Sequence, residues 1–416
     1  MTVFSTDFLI IGGGVIGLNL ALVARRRYRD CRVTVIEKEP HGGAHASGRN
    51  SGVLHAGFYY SADSLKARFC RDGNLELTEY CEAHGITVNR CGKLVVARNA
   101  QERLTLGDLL ARGRANGVEL DEITVEEARE REPRIKTFER ALWSPSTSSV
   151  DPMHVMEALY RDARNNGIEV LTSTSYRKRS PGGIETSRGH IGAGYVINAA
   201  GLHADEIARD YGFARSYRII PFKGLYLYSD EPQGAFRTHI YPVPDLRNPF
   251  LGVHFTVTSR GRAKLGPTAI PALWREHYHG LGNFRPREMW EIMTREFGLF
   301  LRNDFGFRRL AFEEMAKRSK SRMTQLASEL ATGVRTQDYT QWGPPAIRAQ
   351  LFDIGQRKLE MDFRFEGDAG SFHVLNAVSP AFTCAIPFTR YLFDRIDALI
   401  SHRDSDGGVA PASSAR

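Results

Sequence analysis

Cysteine is scarce in this chain: five residues in 416, at Cys31, Cys70, Cys81, Cys91 and Cys384. They form no CxxC pair and no His/Cys zinc spacing. That excludes a disulfide framework and predicts reduced thiols, a cytoplasmic-type compartment and no metal centre. Long apolar runs are lacking too. The best candidate, Phe8 to Val23, is cut by glycines and by Asn19, so no membrane span is expected. The first strand begins by Asp7, which predicts no signal peptide. There is no internal repeat. No RNA-binding or helix-turn-helix signature is present, so nucleic acid is not an expected partner.

What is present is an ordinary soluble composition, 42% hydrophobic and 25% charged, with a net charge of +8. A chain of 416 residues suits two domains, or one large domain with an inserted lobe. The positive balance points to an anionic small molecule or an anionic membrane surface. Its densest run, Lys317-Arg318-Ser319-Lys320-Ser321-Arg322, falls in an expected helix. That run reads either as a solvated face or as a peripheral membrane contact serving a quinone.

The most specific local signal is Gly12-Gly13-Gly14-Val15-Ile16-Gly17. It follows the apolar run Phe8-Leu9-Ile10-Ile11 and is answered by Glu37 at the end of a second run, Val33-Thr34-Val35-Ile36. Strand, glycines, helix, strand and acid in that order predict a dinucleotide-binding βαβ unit. Gly12 makes the tight turn, Gly14 lets backbone approach a pyrophosphate, and Gly17 lets the helix pack against the sheet. The helix N-terminus favours the phosphates, and Glu37 can take a ribose hydroxyl.

Beyond this unit the pattern predicts helices at 64–84, from about 101, at 124–132, 203–211, 286–300, 310–331 and 382–400. Strands are expected at 86–97, 194–198 and 372–375, with an antiparallel sheet over 218–258. The run Gly194–Asn198 leading into Ala199-Ala200-Gly201 and a helix reads as a further element of the first sheet.

Directly after the second strand stands Gly48-Arg49-Asn50-Ser51-Gly52-Val53-Leu54-His55-Ala56-Gly57-Phe58-Tyr59-Tyr60. Its glycines and small polar residues can line a second stretch of a long cofactor. A nicotinamide seldom needs this; a flavin dinucleotide does. This block resembles the L-2-hydroxyglutarate dehydrogenase/oxidase family, within the D-amino-acid-oxidase-like FAD enzymes. Supporting segments are Ser64–Cys70, Cys91–Ala97, Asn198–Leu202, Pro221–Gly224, Leu251–Thr256, Ile347–Gln350 and His373–Pro380.

The resemblance implies an α/β plus α+β fold: a discontinuous Rossmann-type FAD-binding domain (1–84, 150–215 and 340–402) with an inserted antiparallel-sheet substrate domain (85–149 and 216–339). Residues 403–416 read as a disordered tail. The resemblance also implies oxidation of an L-2-hydroxy acid, most closely L-2-hydroxyglutarate, with electrons passed to oxygen or a quinone. The implied cofactor positions are Gly12 to Gly17, Glu37, Lys38, Asn50, Ser51, Gly52, Val53, Tyr176, Ala200, Gly201, Ser379 and Pro380. Among them, Tyr176 would present backbone to the adenine, and Ser379 and Pro380 would lie by the flavin pyrimidine edge.

The chemistry requires a base for the hydroxyl proton and an anchor for the carboxylate. Arg348 is the candidate anchor, because a guanidinium pairs bidentately and keeps its charge. His55 and His254 are the two candidate bases, and Lys223 could take the second carboxylate of a diacid. Each has a plainer reading, as a loop brace, a core histidine or surface cations. Two departures from the family pattern touch the substrate lobe: Lys223-Gly224-Leu225-Tyr226 in place of Arg-Gly-Glu-Tyr, and Thr268 in place of asparagine. They leave open a different hydroxy acid, an amino-acid or amine oxidase of the same superfamily, or a flavoprotein without catalysis.

Overall fold

The computed structural model describes residues 2–244 and 252–405. Its first sheet has Thr2–Ile11 near its centre, flanked in parallel by Gly189–Asn198 on one side and Val33–Ile36 on the other. Glu169–Leu171 and Ser371–Asn376 extend it in parallel at either side. Phe8, Leu9, Ile10 and Ile11 are all buried, because helices and a hairpin cover both faces. A fully covered parallel strand therefore reads as an unbroken apolar run instead of alternating.

Helix Val15–Arg27 leaves the first strand through Gly12–Gly14, with Arg25, Arg26 and Arg27 in its last turn, where they complement the helix dipole. It packs with helices Leu65–Ala83 and Ala381–Ser405 over one face of the sheet. Register pairs Ile11 with both Ile36 and Asn198. The three strands therefore end together and deliver Gly12, Glu37 and Ala199-Ala200 to one carboxyl edge, where open α/β sheets bind their ligands.

Two further sheets build the second lobe. One is eight-stranded and contains Lys93–Val96, His239–Pro242, His254–Val257 and Ala263–Gly266. The other pairs Tyr217–Gly224 antiparallel with Ala346–Asp353. Strand Ala346–Asp353, expected within the return to the dinucleotide unit from 340, thus belongs to the second lobe. The first sheet is re-entered only at Arg364–Gly367.

Two other expectations change. The helix expected over 310–331 is two helices, Phe307–Ala316 and Lys320–Ser328. Ser319 breaks it by capping the second, its hydroxyl accepting from the Arg322 amide. The last helix continues to Ser405, past the expected start of a tail at 403; residues 406–416 lie outside the described residues. All five cysteines are free thiols. No described helix is long and apolar enough to cross a membrane.

Candidate active site

A cavity of about 1420 Å³ runs from the carboxyl edge of the first sheet into the second lobe. This exceeds the roughly 300–1000 Å³ of a drug-sized ligand site, as an extended dinucleotide with a substrate beside it requires. Gly12, Gly13, Gly14, Val15, Ile16, Glu37, Lys38, Asn50, Ser51, Val53, Tyr176, Ala200, Gly201, Ser379 and Pro380 all line it.

Gly17 and Gly52 shape the cavity from beneath. A Cβ at Gly17 would stand 1.9 Å from Gly12 O, and one at Gly12, whose φ is +109°, would stand 2.6 Å from Ala199 O. Both positions are closed to any other residue. Gly52, at φ +77°, turns the chain while its amide donates to Asn50 Oδ1 at 2.9 Å.

Glu37 is held ready at the end of its strand. Its Oε2 accepts from the Gly13 amide at 2.9 Å and its Oε1 from the Glu39 amide at 2.9 Å. Lys38 is spent on a clasp between the lobes. Its ammonium pairs with Glu39 and, at 2.8 Å, with Glu276, which also receives His203 Nε2 at 2.9 Å. The Glu39, His45 and Glu276 cluster has the outline of a metal site, but this ammonium already sits between its two carboxylates.

His55, His254 and Arg348 all line this cavity, as do Phe222, Tyr226 and Tyr241, and His55 lies near enough to His254 to feel its charge. Phe222 and Arg348 lie directly opposite each other on the antiparallel pair and so share a face. Gln350 Oε1 accepts from Arg348 Nε at 3.0 Å, and Gln350 is itself fixed by donating to Glu360 O at 2.7 Å. Burial pulls the guanidinium down to about 10, so Arg348 remains a cation at neutral pH.

His254 is buried and stacks on Tyr241, ring centroids 3.7 Å apart. Its Nδ1 lies 2.8 Å from Gly252 O. A carbonyl only accepts, so Nδ1 carries the proton and Nε2 keeps its lone pair. Burial, outweighing the Gly252 carbonyl, lowers His254 to about 3. His55 is tied through its backbone instead, its amide donating to Thr383 Oγ1 at 3.1 Å. Burial and Lys93 hold its imidazole well below the usual histidine range.

Lys223 does not join them. One residue out of phase with Phe222, it falls on the other face of the strand, where it meets the charges of Arg318 and His277. Leu225 does not line the cavity either. Thr268 does, but its hydroxyl donates to Lys223 O and accepts from the Leu225 amide, bracing the loop. Two of the three departing side chains thus avoid the cavity, and the third has its polar atom committed.

Three buried lysines escaped the sequence reading: Lys93 and Lys264 lie against cavity-lining tyrosines, and Lys66 lies near the lining Arg348. Lys93 sits among the Phe58, Tyr59 and Tyr241 rings at 4.4, 4.7 and 5.0 Å. Lys264 lies 4.4 Å from the Tyr226 ring and donates to Ser51 O at 3.1 Å. Lys66 lies between Tyr60 and Phe363, close enough to Arg348 to feel its charge. Burial lowers Lys93 and Lys66 to about 7, helped at Lys66 by Arg348, and Lys264 to about 8. The aromatic residues Phe58, Tyr59, Tyr60, Tyr226 and Tyr241 were the only available hint.

Comparison with known proteins agrees with this architecture. The family model for FAD dependent oxidoreductases matches residues 7–395. L-2-hydroxyglutarate dehydrogenase of Escherichia coli (strain K12) is 33% identical over 98% of this chain and 97% of its own. The mitochondrial L-2-hydroxyglutarate dehydrogenase of Homo sapiens is 34% identical over 94% and 89%. Among solved structures, FAD-bound L-alpha-glycerophosphate oxidase from Mycoplasma pneumoniae superposes with a TM-score of 0.75 at 22% identity, over 94% of this chain and 95% of that one, and so shares the fold. The glycine-built turn, the oriented Glu37 and the long cavity fit FAD. This chain belongs to the FAD-dependent oxidoreductases, and within them to the L-2-hydroxyglutarate dehydrogenase family.

Proposed function

We propose that this enzyme oxidises L-2-hydroxyglutarate to 2-oxoglutarate, and that the cationic character of the inner chamber selects the substrate. Arg348 lines that chamber, with Lys66, Lys93 and Lys264 behind its walls. The carboxylates lining the cavity are Glu37, Glu206, Asp210, Glu276, Glu288 and Glu291 among the described residues. None comes from the segments that carry His55, His254 or Arg348. Burying positive charge costs folding free energy, even with Asp362 acting on Lys66 and Asp151 on Lys264, and a dianionic substrate offsets that penalty. An ammonium substrate would add to it, so the amine-oxidase reading is disfavoured.

Gly12 to Gly14 and Glu37 would hold the adenosine and pyrophosphate of FAD, while Asn50, Ser51, Ser379 and Pro380 would border the flavin. When bound, the flavin supplies the hydride acceptor. Arg348, its plane set by Gln350, pins the carboxylate next to the carbinol carbon. His254 Nε2 takes the hydroxyl proton, because its Nδ1–H is committed to Gly252 O and its lone pair points away from that bond. Tyr241 fixes the ring by stacking.

The test is anaerobic mixing of the yellow protein with candidate substrates. L-2-Hydroxyglutarate should bleach the flavin band, monocarboxylic 2-hydroxy acids should do so less efficiently, and amino acids should not. Ammonia release from an amino acid, or no bleaching by any 2-hydroxy acid, would refute the assignment.

We also propose that the enzyme meets an anionic bilayer, where a quinone could take its electrons, through a different surface from the expected one. The run Lys317–Arg322 spans the helix break and exposes only part of its charge: Arg318 and Arg322 are exposed, while Lys317 is buried against Glu314 and Lys320 donates to Thr340 O. Helices Pro286–Arg302 and Phe307–Ala316 instead expose Trp290, Phe297, Leu301 and Phe312, at 71, 62, 56 and 68%. Arg287, Arg302 and Arg309 belong to the same two helices. The arginines of these two helices are matched in number by their glutamates, so the exposed apolar side chains supply the insertion and the chain's net charge of +8 the preference for an anionic bilayer. The protein should float with phosphatidylglycerol vesicles but not with phosphatidylcholine vesicles, and Trp290→Ser with Phe297→Ser should abolish flotation. Vesicle-independent dimerisation lost in the same double variant would assign the face to a second copy instead.

A further inference from the structure

Lys93 is wholly buried, and its Nζ has no hydrogen-bond partner among the described residues. Three aromatic rings surround it, Phe58, Tyr59 and Tyr241. An ammonium in such a place is a liability to folding, because cation–π contact replaces only part of its lost hydration. Methionine there would be cheaper. The position is not incidental to the site: the same Tyr241 ring that faces Lys93 at 5.0 Å stacks on His254 at 3.7 Å. Ammonium, phenol ring and imidazole form one stack. Strand pairing enforces it, since Lys93 is the register partner of His239, two residues before Tyr241.

We propose that Lys93 is a positioning residue for the base: from behind Tyr241 its charge adds to burial in keeping the His254 imidazole neutral and proton-accepting. This rests on the reading of His254 as the base. Other groups face His254 as well. Lys264 comes from strand Ala263–Gly266 and Lys317 from the end of helix Phe307–Ala316, both cationic. His55 and His239 lie near enough to share its charge environment. His239 is kept neutral because its Nδ1 accepts the Val257 amide at 3.0 Å. Gly252 O alone favours the protonated imidazole.

Burial first, and then the charge of Lys93, depresses His55 and His239 as well as His254. Below about 7 Lys93 carries its charge, so it adds to burial throughout the acidic range in which His254 takes up its proton.

The test compares wild type with Lys93→Met and, should that variant fold poorly, Lys93→Gln. Two quantities are read: the acid limb of kcat/KM against pH, and the titration of the His254 Cε1 resonance in FAD-loaded protein labelled with ¹³C-histidine, assigned with His254→Gln. Both should move up by about one pH unit, a tenfold larger protonated fraction at a given acidic pH. Thermal stability should rise, because a buried charge has been removed. An unmoved resonance, whatever the activity does, overturns the proposal. A resonance that moves while the acid limb stays put upholds the hold of Lys93 on His254 and instead discards His254 as the base.

Discussion

Replacing His254 with alanine is expected to lower kcat by about 100- to 10,000-fold, the usual contribution of a positioned general base, with little change in KM and with FAD still bound. The expectation follows from how completely the ring is arranged for one task. Gly252 O takes the Nδ1 proton, Tyr241 fixes the plane, and burial keeps the imidazole neutral down to a pH near 3. The ring also lines the cavity, and its one unprotonated nitrogen is Nε2. The measurement is single-turnover flavin reduction at saturating substrate. His55→Ala provides the contrast: its backbone is anchored by Thr383 and Cys70, but no hydrogen bond sets its imidazole among the described residues. Loss at His55 greater than loss at His254 would exchange the two roles.

Replacing Arg348 with methionine is expected to lower kcat/KM by about 100- to 1,000-fold, mostly through KM, consistent with the roughly 2–5 kcal/mol lost when one member of a buried charge pair is truncated. Lysine in its place should recover only part, because an ammonium is a point charge and cannot match a planar carboxylate bidentately. Gln350 makes this a graded experiment. It holds Arg348 Nε at 3.0 Å and is anchored through Glu360 O, so Gln350→Leu should raise KM by a smaller factor. An Arg348→Met enzyme with unchanged KM for L-2-hydroxyglutarate would move the anchor elsewhere in the chamber.

The dinucleotide unit was legible because everything that defines it is local. An apolar run, spaced glycines, a helix and an acid lie within the first 37 residues, and each acts through its own backbone conformation or reach. Asn50, Ser51 and Val53 were legible for the same reason. His254 and Arg348 were legible as residue types suited to the chemistry, although nothing in the order of residues says that side chains 94 positions apart line one chamber.

Lys223 shows where the reading stopped. Strand alternation is visible in sequence, but its phase relative to a cavity is not. A slip of one residue sent the expected diacid ligand to the far face and brought Phe222 inward.

Sequence by itself thus determined the cofactor class and the βαβ edge that receives it, since short-range geometry suffices for both. Tertiary structure alone decided which histidine has an oriented lone pair and that Lys66, Lys93 and Lys264 are buried. Burial of a charge is a property of what surrounds it, and here the surroundings come from loops and strands far apart along the chain.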